Sequence, residues 1–189
     1  MSIPAEKRRI CADNALRCFG TAYIFEGRAR KIRWRVRLIV FLGIAGPAAL
    51  GATIALIGVK SAYAETATWI AGLIGFVQLV ASIWSLVSNW DTDLAYAIES
   101  KSENYRLADE FDKLGKTTSL PDEGFEVEFK VLETQADLRS QLDSRVDVVD
   151  SEKRMGMRAG LRRFQRACAG CGAVPTSLKA SDCNICGDF

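Results

Sequence analysis

The chain has 189 residues, 49% of them hydrophobic and 25% charged, with six cysteines and no histidine. That length suits one compact domain or two small ones. The lack of histidine excludes the commonest general base, every Ser/His/Asp or Cys/His nucleophile pair and any histidine-ligated metal, so a metal would have to be held by cysteine or carboxylate. The net charge of +2 hides a segregation: residues 1–37 carry ten Lys/Arg against three acids, residues 91–152 seven against seventeen, and residues 153–189 seven against two. An even total with such uneven parts points to segments that face different partners.

Residues 1–33 are predicted to be an N-terminal cytoplasmic helix, with Ile10, Ala15, Cys18 and Ala22 as a weak apolar face and Cys11 and Cys18 as ordinary buried thiols. Lys7-Arg8-Arg9 is followed by Asp13-Asn14 rather than by an apolar core. It does not read as a signal peptide, and the first hydrophobic helix is expected to act as its own targeting signal. Arg28, Arg30, Lys31, Arg33, Arg35 and Arg37 then crowd into ten positions. Basic flanks stay in the cytoplasm, so both termini are predicted cytoplasmic and the protein a multi-pass protein of the inner membrane.

Residues 34–90 read as a transmembrane hairpin. Leu38–Val59 gives 22 residues without a charge and Thr66–Trp90 another 25, joined by the six residues Lys60–Glu65. The first run would span about 33 Å as a helix, enough for a hydrocarbon core of about 30 Å. Trp34, Trp69 and Trp90 fall near the ends of the runs, at headgroup level. Gly43, Gly46, Gly51 and Gly58 suit close packing in the first run and Pro47 a kink. In the second, Ala71, Gln78, Ser82, Ser85 and Asn89 fall within an arc of about 60° at 100° per residue. Two readings of that arc stand side by side: a packing face, and the lining of a pore by Gln78, Ser82, Ser85 and Asn89. Two helices cannot enclose a channel, so the pore reading requires a homo-oligomer, a tetramer or larger.

Residues 91–166 read as cytoplasmic helices. Leu94, Ile98, Tyr105 and Ala108 recur at helical spacing up to a turn-like stretch at Lys116–Gly124. Phe125, Phe129, Leu132 and Ala136 then open a second helix, continued after a phase slip by Leu138, Leu142 and Val146. The acids are expected to form a solvated face. Further on, Arg154, Arg158, Arg162 and Arg166 follow at i, i+4 spacing with Arg163 beside them. Arginine at this density suits bidentate recognition of phosphates, with a solvated face or neutralisation of nearby acids as the plainer reading.

Residues 167–189 hold Cys168-Ala-Gly-Cys171-Gly172, an eleven-residue spacer, and Cys183-Asn-Ile-Cys186-Gly187. Each glycine is expected at a turn needing a positive backbone angle, with backbone N–H groups aimed at the sulfurs. Four thiolates suit a structural Zn²⁺ with no open coordination position, an iron centre being the chemical rival. A redox pair lacks the surrounding βαβ pattern, and disulfides are disfavoured in a cytoplasmic setting.

The basic pre-membrane helix, the tight two-helix hairpin and the cytoplasmic helical extension, over roughly residues 5–150, resemble the SLATT family of prokaryotic two-transmembrane effectors. The cysteine spacing is similar to that of the mobilome-associated family named for CxxC, eleven residues, CxxC. The resemblance implies a pore-forming or membrane-depolarising antiphage (abortive infection) effector, related to those of Hailong-type systems. It also implies a cyclic or linear oligonucleotide ligand made by a partner nucleotidyltransferase, for which the arginine series Arg154, Arg158, Arg162, Arg163 and Arg166 is the candidate site by its own charge and spacing.

The expected fold is thus an all-α membrane protein: a two-transmembrane helical hairpin, cytoplasmic helices and a small C-terminal four-cysteine zinc ribbon. The expected function is that of an oligomeric, ligand-gated pore in the lipid bilayer, and not an enzyme. The rivals are a membrane-tethered adaptor that docks a protein through its ribbon and a membrane redox enzyme using the CxxC pairs.

Overall fold

The computed structural model describes residues 5–57, 62–118 and 121–189. Pro4, Gly58, Val59 and Lys60, and residues 119–120 of the expected turn, lie outside the described residues. The described chain is all-helical: α1 (Ala5–Ile57), α2 (Ala62–Val87), α3 (Trp90–Lys116), α4 (Asp122–Asp143) and α5 (Asp150–Arg163), followed by an irregular cysteine-bearing tail. It divides into two units, Met1–Arg28 with Tyr96–Phe189, and Ala29–Ala95. The start of α1, the acidic helices and the tail, read from the sequence as separate segments, therefore fold as one body.

In the first unit, three helices bury faces that advance in alternating steps of three and four, the spacing that keeps one stripe turned to a neighbouring helix. They are Cys11, Ala15, Cys18, Ala22 and Phe25 on α1; Ala97, Ser100, Asn104, Leu107, Phe111 and Leu114 on α3; and Phe125, Leu132, Ala136, Arg139 and Asp143 on α4. Phe129, itself half-buried, stacks on Phe125 at 6.2 Å and meets Phe111 edge-on at 6.5 Å, packing against this core. Burial pushes the Cys11 and Cys18 thiols up to about 11, so both are neutral packing groups, as expected. Ile10, by contrast, is exposed, and Cys11 holds its place on the buried face.

The expected phase slip in α4 does not occur. Leu138 and Leu142 are exposed, the helix ends before Val146, and the buried stripe runs on in register through Arg139 and Asp143. It can do so because each charge is matched. Asp143 Oδ1 accepts hydrogen bonds from Tyr96 Oη (2.7 Å), Ser100 Oγ (2.8 Å) and Arg139 Nη2 (2.8 Å), and Oδ2 accepts one from Asn104 Nδ2 (2.7 Å). Arg139 also donates to Glu99 (2.7 Å) and lies over the Tyr96 ring at 5.1 Å. Burial alone would raise the Asp143 pKa, but Arg139, Tyr96, Asn104 and Ser100 together hold it below the ordinary 3.8. The same packing pushes Tyr96 up to about 12, through burial first and the neighbouring carboxylate second.

Helix α5 crosses α1 at nearly bare backbone. A Cβ on Gly156 would lie 2.6 Å from the Gly20 carbonyl oxygen, and one on Gly160 3.0 Å from that of Leu16. Glu152 anchors the start of α5 by accepting from Arg28 Nη2 (2.6 Å) and from the Val149 N–H (3.4 Å).

In the second unit, Trp69–Val87 of α2 is long and apolar enough to cross a membrane, with a mean hydropathy of 2.1 and none of it buried. Its half-buried positions are Ala71, Gln78, Ala81, Ser82 and Ser85, the small and polar arc. On α1 the half-buried positions Ile32, Val36, Ile39, Gly43 and Gly46 form a matching stripe. Gln78 lies over its glycines: a Cβ on Gly43 would be 2.6 Å from the Gln78 Nε2. Arg35 stands over the Trp90 ring at 5.8 Å.

Asp143→Asn keeps the shape of the buried cluster but leaves the buried Arg139 with only the largely exposed Glu99 as counter-charge, at a cost of about 3 kcal/mol. The sign of the pH dependence follows from the lowered pKa: this stability is present above the unfolded-state value of 3.8 and is lost as pH falls through the lower folded-state value. Thermal melts of the full chain in detergent should show both effects. A variant as stable as the parent at neutral pH would show the charge to be dispensable.

Candidate metal centre

The tail brings the four predicted cysteines together. The sulfurs of Cys168, Cys171, Cys183 and Cys186 all lie within 4.8 Å of one another, with Cys168–Cys183 at 3.9 Å and Cys171–Cys186 at 4.0 Å. A tetrahedral metal with bonds to sulfur of about 2.3 Å needs edges of about 3.8 Å between its ligands. The donor set therefore fits a four-coordinate thiolate metal site, and all four cysteines are free of disulfides. Cys168 and Cys186 are buried against Leu16 of α1 and Leu161 of α5, so the ribbon shares its core with the helices.

The two CxxC turns repeat one pattern. The Cys168 carbonyl accepts from the Gly172 N–H at 2.8 Å and the Cys183 carbonyl from the Gly187 N–H at 2.8 Å. The Gly170 N–H points at the Cys168 sulfur at 3.4 Å. In the second turn the backbone N–H groups of Ile185 and Cys186 pull the Cys183 thiol down to about 6, whereas burial pushes Cys186 up to about 12. Four thiolates held within 4.8 Å of one another repel, so the four sulfurs would ionise together only around a cation.

The glycines do different work. Gly172 has φ +70°, the left-handed conformation expected of it. Gly187 is not in that region; a Cβ there would collide with the carbonyl and hydroxyl oxygens of Ser181, so its requirement is steric.

The arginines, read from the sequence as one array, are divided by the structure. Arg158 is buried and donates from Nε to the Ser177 carbonyl (2.8 Å) and from Nη1 to Ser181 Oγ (3.0 Å), the Cys186 carbonyl (3.2 Å) and the Cys186 sulfur (3.9 Å). Arg154 donates to the carbonyl and carboxylate of Asp188, both at 2.9 Å. Arg166 lies beyond the end of α5 and pairs with Asp13 at 2.6 Å. Arg162 and Arg163 are exposed and border a cleft of about 420 Å³, lined also by Phe19, Tyr23, Glu26 and Tyr105. Gln165, on the same cleft, holds φ +50°, which costs a non-glycine residue stability.

Of the expected pore residues, Gln78, Ser82 and Ser85 share the half-buried side of α2, whereas Asn89 does not continue it. The helix ends at Val87, and Asn89 takes φ +50° in the turn before α3, a conformation asparagine tolerates well. Sequence reasoning missed the Tyr96–Ser100–Asn104–Arg139–Asp143 network. The signal for it was the polar residues at core spacing in α3 and α4.

Cys171→Ser should abolish stoichiometric metal binding and release residues 168–189 from the Leu16–Leu161 core, while the helices remain. Metal analysis together with hydrogen exchange measures both. An ordered tail in metal-free wild-type protein would refute the dependence.

A family model described as Mobilome CxxCx(11)CxxC protein matches residues 8–189. No curated protein and no solved structure matches the chain. With almost its whole length covered and the four cysteines of the eponymous motif gathered at one site, the chain belongs to the Mobilome CxxCx(11)CxxC protein family.

Proposed function

We propose that the chain is a homo-oligomeric inner-membrane effector, a pore of the antiphage type, controlled from its cytoplasmic side by an oligonucleotide supplied by a partner nucleotidyltransferase. The observation that carries the membrane reading is Trp69–Val87, an apolar helix with no part buried in the chain. Such a surface is stable only against lipid or other apolar helices. α1 continues through Leu38, Val40, Phe41 and Ile44, all exposed, and would supply the second span, so that the basic run before it holds both termini in the cytoplasm.

The polar arc supports an oligomeric pore. Gln78, Ser82 and Ser85 are half-buried, and their remaining surface would face water only where several copies, four or more, meet. On the cytoplasmic side, Arg162 and Arg163 offer exposed guanidinium groups beside aromatic side chains, a combination suited to phosphate and base. Zinc is the metal that best suits four thiolates in a closed shell, and its role would be structural.

A second reading, the membrane-tethered adaptor, is favoured by one feature. Val174, Leu178 and Ile185 expose apolar surface on the ribbon, where a protein partner would dock.

Ion flux from liposomes separates the two. Ser82→Leu with Ser85→Leu should abolish flux without preventing membrane insertion, and Arg162→Glu with Arg163→Glu should uncouple flux from the nucleotidyltransferase product. Unchanged flux in the serine variant would assign the arc to packing alone. No flux from the parent protein would favour the adaptor.

A further inference from the structure

Arg158 poses an electrostatic problem within the fold. Its relative exposure is 9%, yet among the described residues no carboxylate pairs with it; its partners are two carbonyls, a hydroxyl and the Cys186 sulfur. A buried guanidinium is costly unless a negative charge meets it. Every other arginine of the cysteine-bearing face is provided for differently: Arg154 and Arg166 pair with Asp188 and Asp13, and Arg162 and Arg163 stand in solvent. The negative charge available to Arg158 is that of the cysteine cluster. A divalent metal with four thiolates carries a net charge of about −2, and Cys186, through which Arg158 touches the cluster, is 1% exposed and so cannot shed that charge into water.

We propose that Arg158 is the positioning residue of the metal centre, a cation built into α5 that balances the tetrathiolate at Cys186 and locks the spacer loop over it. The geometry serves both tasks. The Nη1 group reaches the carbonyl and sulfur of Cys186 and the Ser181 hydroxyl, while Nε holds the Ser177 carbonyl, so one planar fork fixes both the ligand and the eleven-residue spacer. Lysine, a point charge on a flexible stem, would keep the charge but not the fork. The coupling is reciprocal. Arg158 lies between Gly156 and Gly160, two residues at which α5 comes close to the α1 backbone. The metal therefore needs α5 seated on α1, and the seat needs the metal to neutralise its buried cation.

The test is chelator competition on the full chain in detergent, with Co²⁺ as probe for its sulfur-to-metal absorption and Zn²⁺ for affinity. Partners that orient metal ligands typically account for 10–100-fold in affinity. Arg158→Met should lose that much, Arg158→Lys an intermediate amount, and Arg154→Gln, which removes a contact to the same ribbon but none to a sulfur, about twofold or less. Metal removal should also speed exchange of the Gly156–Gly160 amides in the parent protein. The proposal is overturned if Met and Lys variants both bind within about twofold of the parent, or if Arg154→Gln loses as much as Arg158→Lys. Should Arg158→Met fail to fold, the comparison of Arg158→Lys with Arg154→Gln decides alone.

Discussion

Four sulfurs held within 4.8 Å of one another cannot all be thiolates without a cation among them, and the arrangement around the cysteines is a response to that constraint. Backbone N–H groups in each CxxC turn face the first sulfur of the pair, Cys168 or Cys183. The tightness this requires explains why the second glycine is needed for space and not for its backbone angle. The cluster then becomes a core element in its own right, since Cys168 and Cys186 pack on Leu16 and Leu161 in a place where larger apolar side chains would otherwise be expected. A metal at this site would hold a tail with few hydrophobic residues to the bundle by coordination, the usual remedy where a short segment cannot bury enough apolar area to fold alone.

The bundle solves a related problem with carboxylate chemistry. It buries Arg139 and Asp143 one helix turn apart, paired with each other and satisfied by four neighbouring groups, Tyr96, Glu99, Ser100 and Asn104. Replacing the whole cluster with leucines would be as stable or more so on energetic grounds alone, because two desolvated ions gain little over good apolar packing. What the polar cluster adds is register: Ser100, Asn104 and Tyr96 can meet Asp143 only when α3 and α4 are aligned as they are, whereas a purely apolar stripe could slide by a turn.

That cluster also marks where the sequence was hard to read. Hydrophobic periodicity and charge-free apolar runs located α1 to α4, arginine spacing pointed to α5 and cysteine spacing to the four-cysteine motif, while of the two glycine turns only that at Gly172 has the positive backbone angle expected. Periodicity misled wherever the buried stripe was polar. In α4 the eye moves from Ala136 to Leu138 and Leu142, which are exposed, because Arg139 and Asp143 do not look like core residues until their partners forty positions away are known. In α3, Ile98 attracted attention for the same reason while Ser100 and Asn104 held the interior. The arginine series is a different case. Spacing on a helix says that side chains share a face but not what covers it, and here the folded-back ribbon covers Arg154 and Arg158 while leaving Arg162 and Arg163 bare.

The membrane-length helix gives the same lesson a functional edge. Along Trp69–Val87 the outward residues are apolar throughout, from Trp69 and Ile70 to Leu86 and Val87, and the polar side chains Gln78, Ser82 and Ser85 all lie on the half-buried side. On the pore reading, a water path would have to use those three residues, since nothing else on the helix would wet it. Gln78 lies against Gly43 and Gly46 of α1, where its amide fills the space two missing side chains leave. On that reading a conducting state would have to exchange part of this helix–helix packing for water, and the packed hairpin would be its shut state. The exchange is inexpensive in principle, because a glutamine amide that leaves a glycine notch gains hydrogen bonds to water and uncovers little apolar surface. On the pore reading, a seam of glycines facing short polar side chains would be one that a ligand bias of a few kcal/mol could part.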